Sequence, residues 1–150
     1  MNLFRVLEIS GSALLAERLR AEVVSANLAN AETTRTDKGG PYQRVHVVFG
    51  ARGARPATGS GAFGMMLASF ADLHAEDVKV VNVVADQAAP VKRFEPGHPD
   101  ADANGYVEYP AINPAEELIN LMGAARAYEI NASAVASTKN MIQSAIGLLS

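Results

Sequence analysis

The sequence predicts an α+β fold in which long N- and C-terminal helices pair as an antiparallel coiled coil, with a small β-rich insert between them. Three observations carry this. Apolar residues near the N-terminus recur in steps of three and four. A longer run with similar spacing extends to the end of the chain. The stretch between them switches to short β-type segments broken by glycine and proline.

The first helix is predicted over residues 3–31. Leu3, Leu7, Leu14, Ala21, Val24 and Leu28 follow one stripe, in which only Ser10 and Glu17 interrupt the apolar pattern. Arg5, Glu8 and Ser12 line another face, and Arg18 with Glu22 forms an i,i+4 pair. Thr33, Thr34 and Thr36, followed by Gly39-Gly40-Pro41, end the helical pattern.

Four strands are expected in the insert, at residues 42–49, 78–84, 91–94 and 106–109. Glycines at 50, 53, 59, 61 and 64 mark residues 50–64 as a flexible loop, with Met65, Met66, Leu67 and Phe70 as an apolar anchor beyond it.

The second helix has a clear start. Asn113 is the N-cap, Pro114 takes the first helical position, and Glu116 stands where a capping box places its acid. The apolar line then runs Leu118, Leu121, Ala125, Tyr128, Ala132, Val135, Lys139, Ile142, Ile146, Leu149, and only Lys139 breaks it. This is a 3.5-residue period over more than four heptads, as in coiled coils. Such a helix would be about 50 Å long, too long for a compact domain of this size. Two terminal helices of similar periodicity are best satisfied by packing on each other. The chain thus divides into residues 1–34 and 112–150, forming a helical unit, and the β-rich residues 35–111.

Composition narrows the function. Of 150 residues 49% are apolar, enough for a core, and a net charge of −3 gives no electrostatic reason to expect nucleic acid or an anionic membrane. The chain has no cysteine, which removes disulfides, thiolate catalysis and Cys-ligated zinc. No apolar run reaches the roughly 18 residues that span a bilayer. Arg5 and Glu8 interrupt any signal-peptide core, so departure from the cytoplasm is expected to proceed without a cleaved signal.

The helices lack the charge that water normally demands. From Tyr128 to Ser150 only Glu129 and Lys139 are charged, and Ser133, Ser137, Asn140 and Ser144 occupy the face opposite the apolar line. A solvated helical hairpin carries a charged outer face. Alanines at 124, 125, 127, 132, 134, 136 and 145 permit close helix approach. An alanine-rich helix stable by itself is one explanation; burial on several sides by neighbouring subunits is the one favoured here.

Three segments carry a family resemblance. Ser25-Ala26-Asn27-Leu28-Ala29-Asn30-Ala31-Glu32-Thr33-Thr34 closely resembles the N-terminal signature of flagellar rod and hook proteins. Phe94-Glu95-Pro96-Gly97-His98-Pro99-Asp100-Ala101-Asp102-Ala103-Asn104-Gly105-Tyr106-Val107 is similar to the stretch that marks the proximal-rod branch. Ala127-Tyr128-Glu129-Ile130-Asn131-Ala132, running on to Lys139-Asn140-Met141, resembles the family's terminal helix. Together the matches span roughly two thirds of the chain.

The resemblance implies a structural subunit of the periplasmic rod of the flagellar basal body, exported by the flagellar type III apparatus and free of cofactors. It implies helical assembly with itself and with the rod proteins FlgB, FlgF and FlgG, with FliE and the membrane-ring protein FliF as further partners. The expected interface residues are Leu7, Leu14, Val24, Asn27, Leu28 and Asn30 on the first helix and Leu118, Leu121, Tyr128, Val135, Ile142 and Ile146 on the second. Asn27 and Asn30 also have a physical rationale: a buried amide fixes register, because mismatched pairing leaves it unsatisfied. Capping of the helix end is the alternative reading of both.

Other chemistry is thinly supported. Asp100-x-Asp102-x-Asn104-Gly105 copies the first half of a calcium loop, but Ala111 stands where the bidentate acid belongs, and a turn between strands uses the same residues. A calcium-stabilised extracellular coiled-coil binding module is therefore the competing reading. His46, His74 and His98 are scattered without ligand spacing, and no nucleophile or phosphate-loop motif is present, so no enzyme is expected.

Overall fold

The computed structural model describes residues 3–51 and 77–148. Its elements follow the order helix α1 (Leu3–Ala29), strands β1 (Val45–Ala51), β2 (Val78–Ala85), β3 (Val91–Phe94) and β4 (Tyr106–Tyr109), and helix α2 (Pro114–Gly147). Of the loop expected over residues 50–64, Gly50 and Ala51 belong instead to β1, where they pair with β2; the rest of it, the expected anchor at Met65, Met66, Leu67 and Phe70, and Leu149 lie outside the described residues.

Helix α2 begins as its sequence dictates. Asn113 is extended (φ −98°, ψ 109°), its Oδ1 accepts the Ala115 amide at 3.0 Å, and Pro114 follows. Helix α1 tightens at its end, where the Asn30 amide reaches the carbonyls of Ala26 and Asn27 and the Ala31 amide that of Leu28. A compact turn then reverses the chain: the Thr36 amide donates to Gly40 O and the Gly39 amide to Thr36 O, both 2.9 Å. Gly39 and Gly40 have φ of 81° and 73°, a conformation that suits glycine.

The two helices pack antiparallel. On α1 the expected stripe faces inward, with Val24 buried and Leu3, Leu7, Leu14, Ala21 and Leu28 half-buried; Ser10, which had read as a break in the pattern, is buried too, as are Ala16 and Asn27 beside the stripe. On α2 the buried line is displaced by one residue from the expected one at alternate positions. Leu121, Val135 and Ile142 are half-buried, but between them Glu117, Ala124, Asn131 and Thr138 turn inward, while Leu118, Ala125, Ala132 and Lys139 face out. Lys139 had looked like a flaw in the seam because it lies beside the seam, not in it. Buried Thr138 and half-buried Asn131 turn inward with their donors bonded within the helix: Thr138 Oγ1 donates to Ala134 O and Asn131 Nδ2 to Ala127 O, both at 2.9 Å.

The insert contains two antiparallel two-stranded sheets, β1–β2 and β3–β4. The first lies lengthwise along α1. The Val45 amide meets Asn27 Oδ1 at 3.0 Å at one end, and the Val78 amide meets Ser12 Oγ at 3.2 Å at the other. From Ser12 to Asn27 a helix rises about 22 Å, and the seven residues of β1 span about 23 Å. Strand and helix are matched in length. A register shift between Val48 and Phe49 leaves Val81 unpaired, and Gly50 is needed because a Cβ there would run into the Val81 side chain. α1 is thus the central element, with α2 and the β1–β2 ribbon packed on it.

Candidate assembly interface

Where α1 leaves the helical pair for the insert, one polar cluster joins three elements. Asn27, 1% exposed, has its amide aligned with Val45: Nδ2 donates to Val45 O at 2.7 Å and Oδ1 accepts the Val45 amide at 3.0 Å. It thereby extends the β-ladder onto the helix. Nδ2 also donates to Glu117 Oε2 at 3.0 Å, and Oδ1 accepts the Tyr42 hydroxyl at 3.2 Å. Glu117, also 1% exposed, takes both Nε (2.9 Å) and Nη2 (2.6 Å) of Arg44 on its Oε1. Arg44 reaches a second carboxylate, Asp86, at 3.7 Å.

This is a buried carboxylate paired with a half-buried guanidinium, with Asn27 filling the second carboxylate oxygen and Asp86 a further contact of Arg44, the arrangement that offsets desolvation. The Tyr42 hydroxyl feels it: burial, and then the nearby Glu117 charge, raise its pKa above the ordinary tyrosine value.

The strand β1 starts at Val45, three residues later than the sequence suggests, because Tyr42 and Arg44 are engaged in this cluster and in the turn. The Tyr42 amide bonds back to Thr33 O at 3.0 Å. Periodicity could not identify Glu117 and Arg44 as partners, since charged residues on an amphipathic helix or strand end ordinarily read as solvent-facing.

The β3–β4 connection is a second polar knot. Asp102 Oδ1 accepts the amides of Asn104 (2.8 Å) and Tyr106 (2.9 Å), and Asp100 Oδ2 accepts the Thr34 hydroxyl at 2.8 Å. The Tyr106 amide is the largest cause of an Asp102 pKa below the ordinary carboxylate value. The calcium-like run is thus built as a backbone turn, and an ion there would compete with these bonds. Gly105 has φ 79°, and a Cβ on it would lie 3.0 Å from the Phe94 ring and 3.1 Å from Pro96 Cβ. Tyr109, nearly buried, donates to Glu95 at 2.9 Å beneath the Arg93 guanidinium, 4.5 Å from its ring centre. Thr34 and Arg35, just after α1, reach Asp100 and tie this knot to the helical unit.

The expected interface residues fall into two groups. Val24 and Asn27 are buried within the subunit, and Leu7, Leu14, Leu28, Asn30, Leu121, Val135 and Ile142 are half-buried. Asn30 closes the helix end, giving Nδ2 to Ala26 O at 2.9 Å and accepting Thr33 Oγ1 at 3.1 Å. Leu118, Tyr128 and Ile146 are exposed. Ile119, Met122, Ile130 and Met141 are exposed on the same helix, as are Phe4 and Leu15 on α1. Among the described residues the buried apolar side chains are Ala16, Val24, Val107, Tyr109 and Ala124; the large apolar side chains of α2 lie mostly outward, whereas those of α1 are mostly half-buried.

Comparison with known proteins identifies the family. Residues 7–35 match the family described as flagella basal body rod protein, and residues 103–148 match the family described as flagellar basal body rod FlgEFG protein C-terminal. The chain is 35% identical to the flagellar basal-body rod protein FlgC of Borreliella burgdorferi, covering 99% of both. It is 36% identical to FlgC of Salmonella typhimurium over 95% of this chain and 94% of that one. With FlgC of Bacillus subtilis it shares 34% identity over 97% of each. Similarity of that extent, running through the signature helix, the insert and the terminal helix, places the chain in the FlgC family of flagellar basal-body rod proteins, structural subunits of the basal body.

Proposed function

We propose that the chain is a subunit of the proximal rod that assembles helically with itself and its neighbours and transmits torque from the membrane ring to the distal rod and hook. The observation that carries this is the inverted α2. Its inward line holds Glu117, Asn131 and Thr138, whereas Leu118, Ile119, Met122 and Ile146 are exposed. A helix that buries polar residues and exposes large apolar ones is built to be covered by something else. The residues we assign to that contact are Leu118, Tyr128 and Ile146, with Leu28 and Asn30 at the α1 end.

On this reading residues 1–34 and 112–150 form the axial unit and residues 35–111 stand further from the axis. The partners would be FlgB, FlgF and FlgG, with FliE and FliF toward the membrane, in the periplasm after export by the type III apparatus. The subunit would do no catalysis; the polar clusters described above are engaged in holding elements together.

The test is complementation in a strain lacking its own copy. Leu118→Asp and Ile146→Asp together should abolish swimming while the chain is still exported, and Leu28→Asp should do the same. Normal swimming in all of these would overturn the interface assignment.

A further inference from the structure

The α1–α2 seam contains little to prevent the helices from sliding. Its inward α2 positions Glu117, Ala124, Asn131 and Thr138 recur every seven residues. Ala124 is small, and Asn131 and Thr138 bond to carbonyls of their own helix. Apart from Asn27, the buried α1 residues, Ser10, Ala16 and Val24, are also small or compact. A shift by one heptad would keep similar surfaces in contact while moving one helix about 10 Å along the other. Register in coiled coils is fixed by a polar residue whose partner exists in only one alignment.

Glu117 meets that requirement. It binds Asn27 of α1 and the Arg44 fork at once, and Asn27 is itself held at both polar atoms by Val45. We infer that Glu117 is the residue that sets the axial register of the helix pair, with Asn27 and Arg44 reading its position.

A heptad slip in one direction puts Ala124 at this point, leaving the half-buried Arg44 guanidinium with only the longer 3.7 Å contact to Asp86 and Asn27 short of an acceptor. A three-residue shift brings Asn120, a neutral amide that cannot serve both Asn27 and the fork. The ion pair therefore contributes alignment more than net stability, the best-attested use of such pairs. Because Arg44 leads directly into β1, the same carboxylate aligns α2 with the insert. The length by which α2 projects past α1 at the far end is set at this one junction.

The chain has no cysteine, so disulfide trapping in the full-length protein is free of background. Ala21 and Ala124 line one groove between the helices, and cysteines at both report the native register. Pairs at positions 21 and 131, and at 14 and 124, report a one-heptad slip in either direction. With Glu117 present the native pair should close at least about tenfold faster than either slipped pair. In Glu117→Ala the advantage should fall below about threefold, in Glu117→Gln it should be intermediate, and a control at exposed Ser133, Ser133→Ala, should leave it unchanged. An undiminished advantage in both Glu117→Ala and Glu117→Gln overturns the assignment. If Glu117→Ala loses its helical circular dichroism, Glu117→Gln and Arg44→Lys decide: a reduced native preference upholds the assignment, an unchanged one removes it.

Discussion

Asn27 on α1 donates a 3.0 Å hydrogen bond to Glu117 on α2, across ninety positions of sequence, while its amide also pairs with both backbone groups of Val45. One side chain thus joins the signature helix, the terminal helix and the first strand. Asn27→Ala leaves the half-buried Val45 amide and carbonyl without this partner, at up to about 1–3 kcal/mol for each group that water does not reach. Asn27→Asp should cost more, because it also sets a second carboxylate against Glu117. Urea unfolding of both variants gives the two midpoints, and the Asp variant should have the lower.

The displaced α2 seam separates two leucines three residues apart. Leu118→Asp, on the exposed side, should change the stability of the isolated subunit by no more than about 0.5 kcal/mol. Leu121→Asp, on the half-buried side, should lower it by about 2 kcal/mol or more. Thermal unfolding of the purified variants measures both. Equal effects would restore the seam that the apolar pattern alone suggests.

Asp102 provides a pH-dependent contribution whose sign follows from its hydrogen bonds. Amides of the turn, that of Tyr106 foremost, hold its pKa below the unfolded value, which is near 3.9. Its contribution is therefore complete above that unfolded value and is lost as pH falls through the folded pKa. NMR titration should show the amide shifts of Asn104 and Tyr106 moving together in that acid range, below the midpoint of an ordinary aspartate. Asp102→Asn keeps an acceptor oxygen, so the turn should persist and its acid dependence should disappear.

Gly105 is required twice over, by its φ of 79° and by the nearness of Phe94 and Pro96. Gly105→Ala should destabilise the β3–β4 turn by about 1–3 kcal/mol. Faster hydrogen exchange at the Glu95 amide, which donates to Gly105 O at 2.9 Å, is the direct readout.

Much of this fold was legible in the sequence, for reasons that are local. Asn113-Pro114 announces a helix start because the cap and the proline act within one turn. Gly39-Gly40 and Gly105 announce turns because glycine readily adopts the positive φ found there. The strands β2, β3 and β4 stand within one residue of where β-branched and aromatic runs put them. The signature around Asn27 and Asn30 singled out both residues, and the structure separates their roles: Asn30 bonds within its own helix end, and Asn27 joins three elements.

By itself, then, the sequence determined the two long helices, the small β insert between them and the family, all of which rest on periodicity, caps and contiguous motifs. Only the tertiary structure decided which side of α2 faces α1. Apolar ranking favours the line through Leu118 and Ile146 and treats Glu117 as a solvent residue. Glu117 turns inward because Arg44 and Asn27, 73 and 90 positions away, satisfy its carboxylate. A charge becomes a core residue only when its partners arrive, and no local pattern contains the partners.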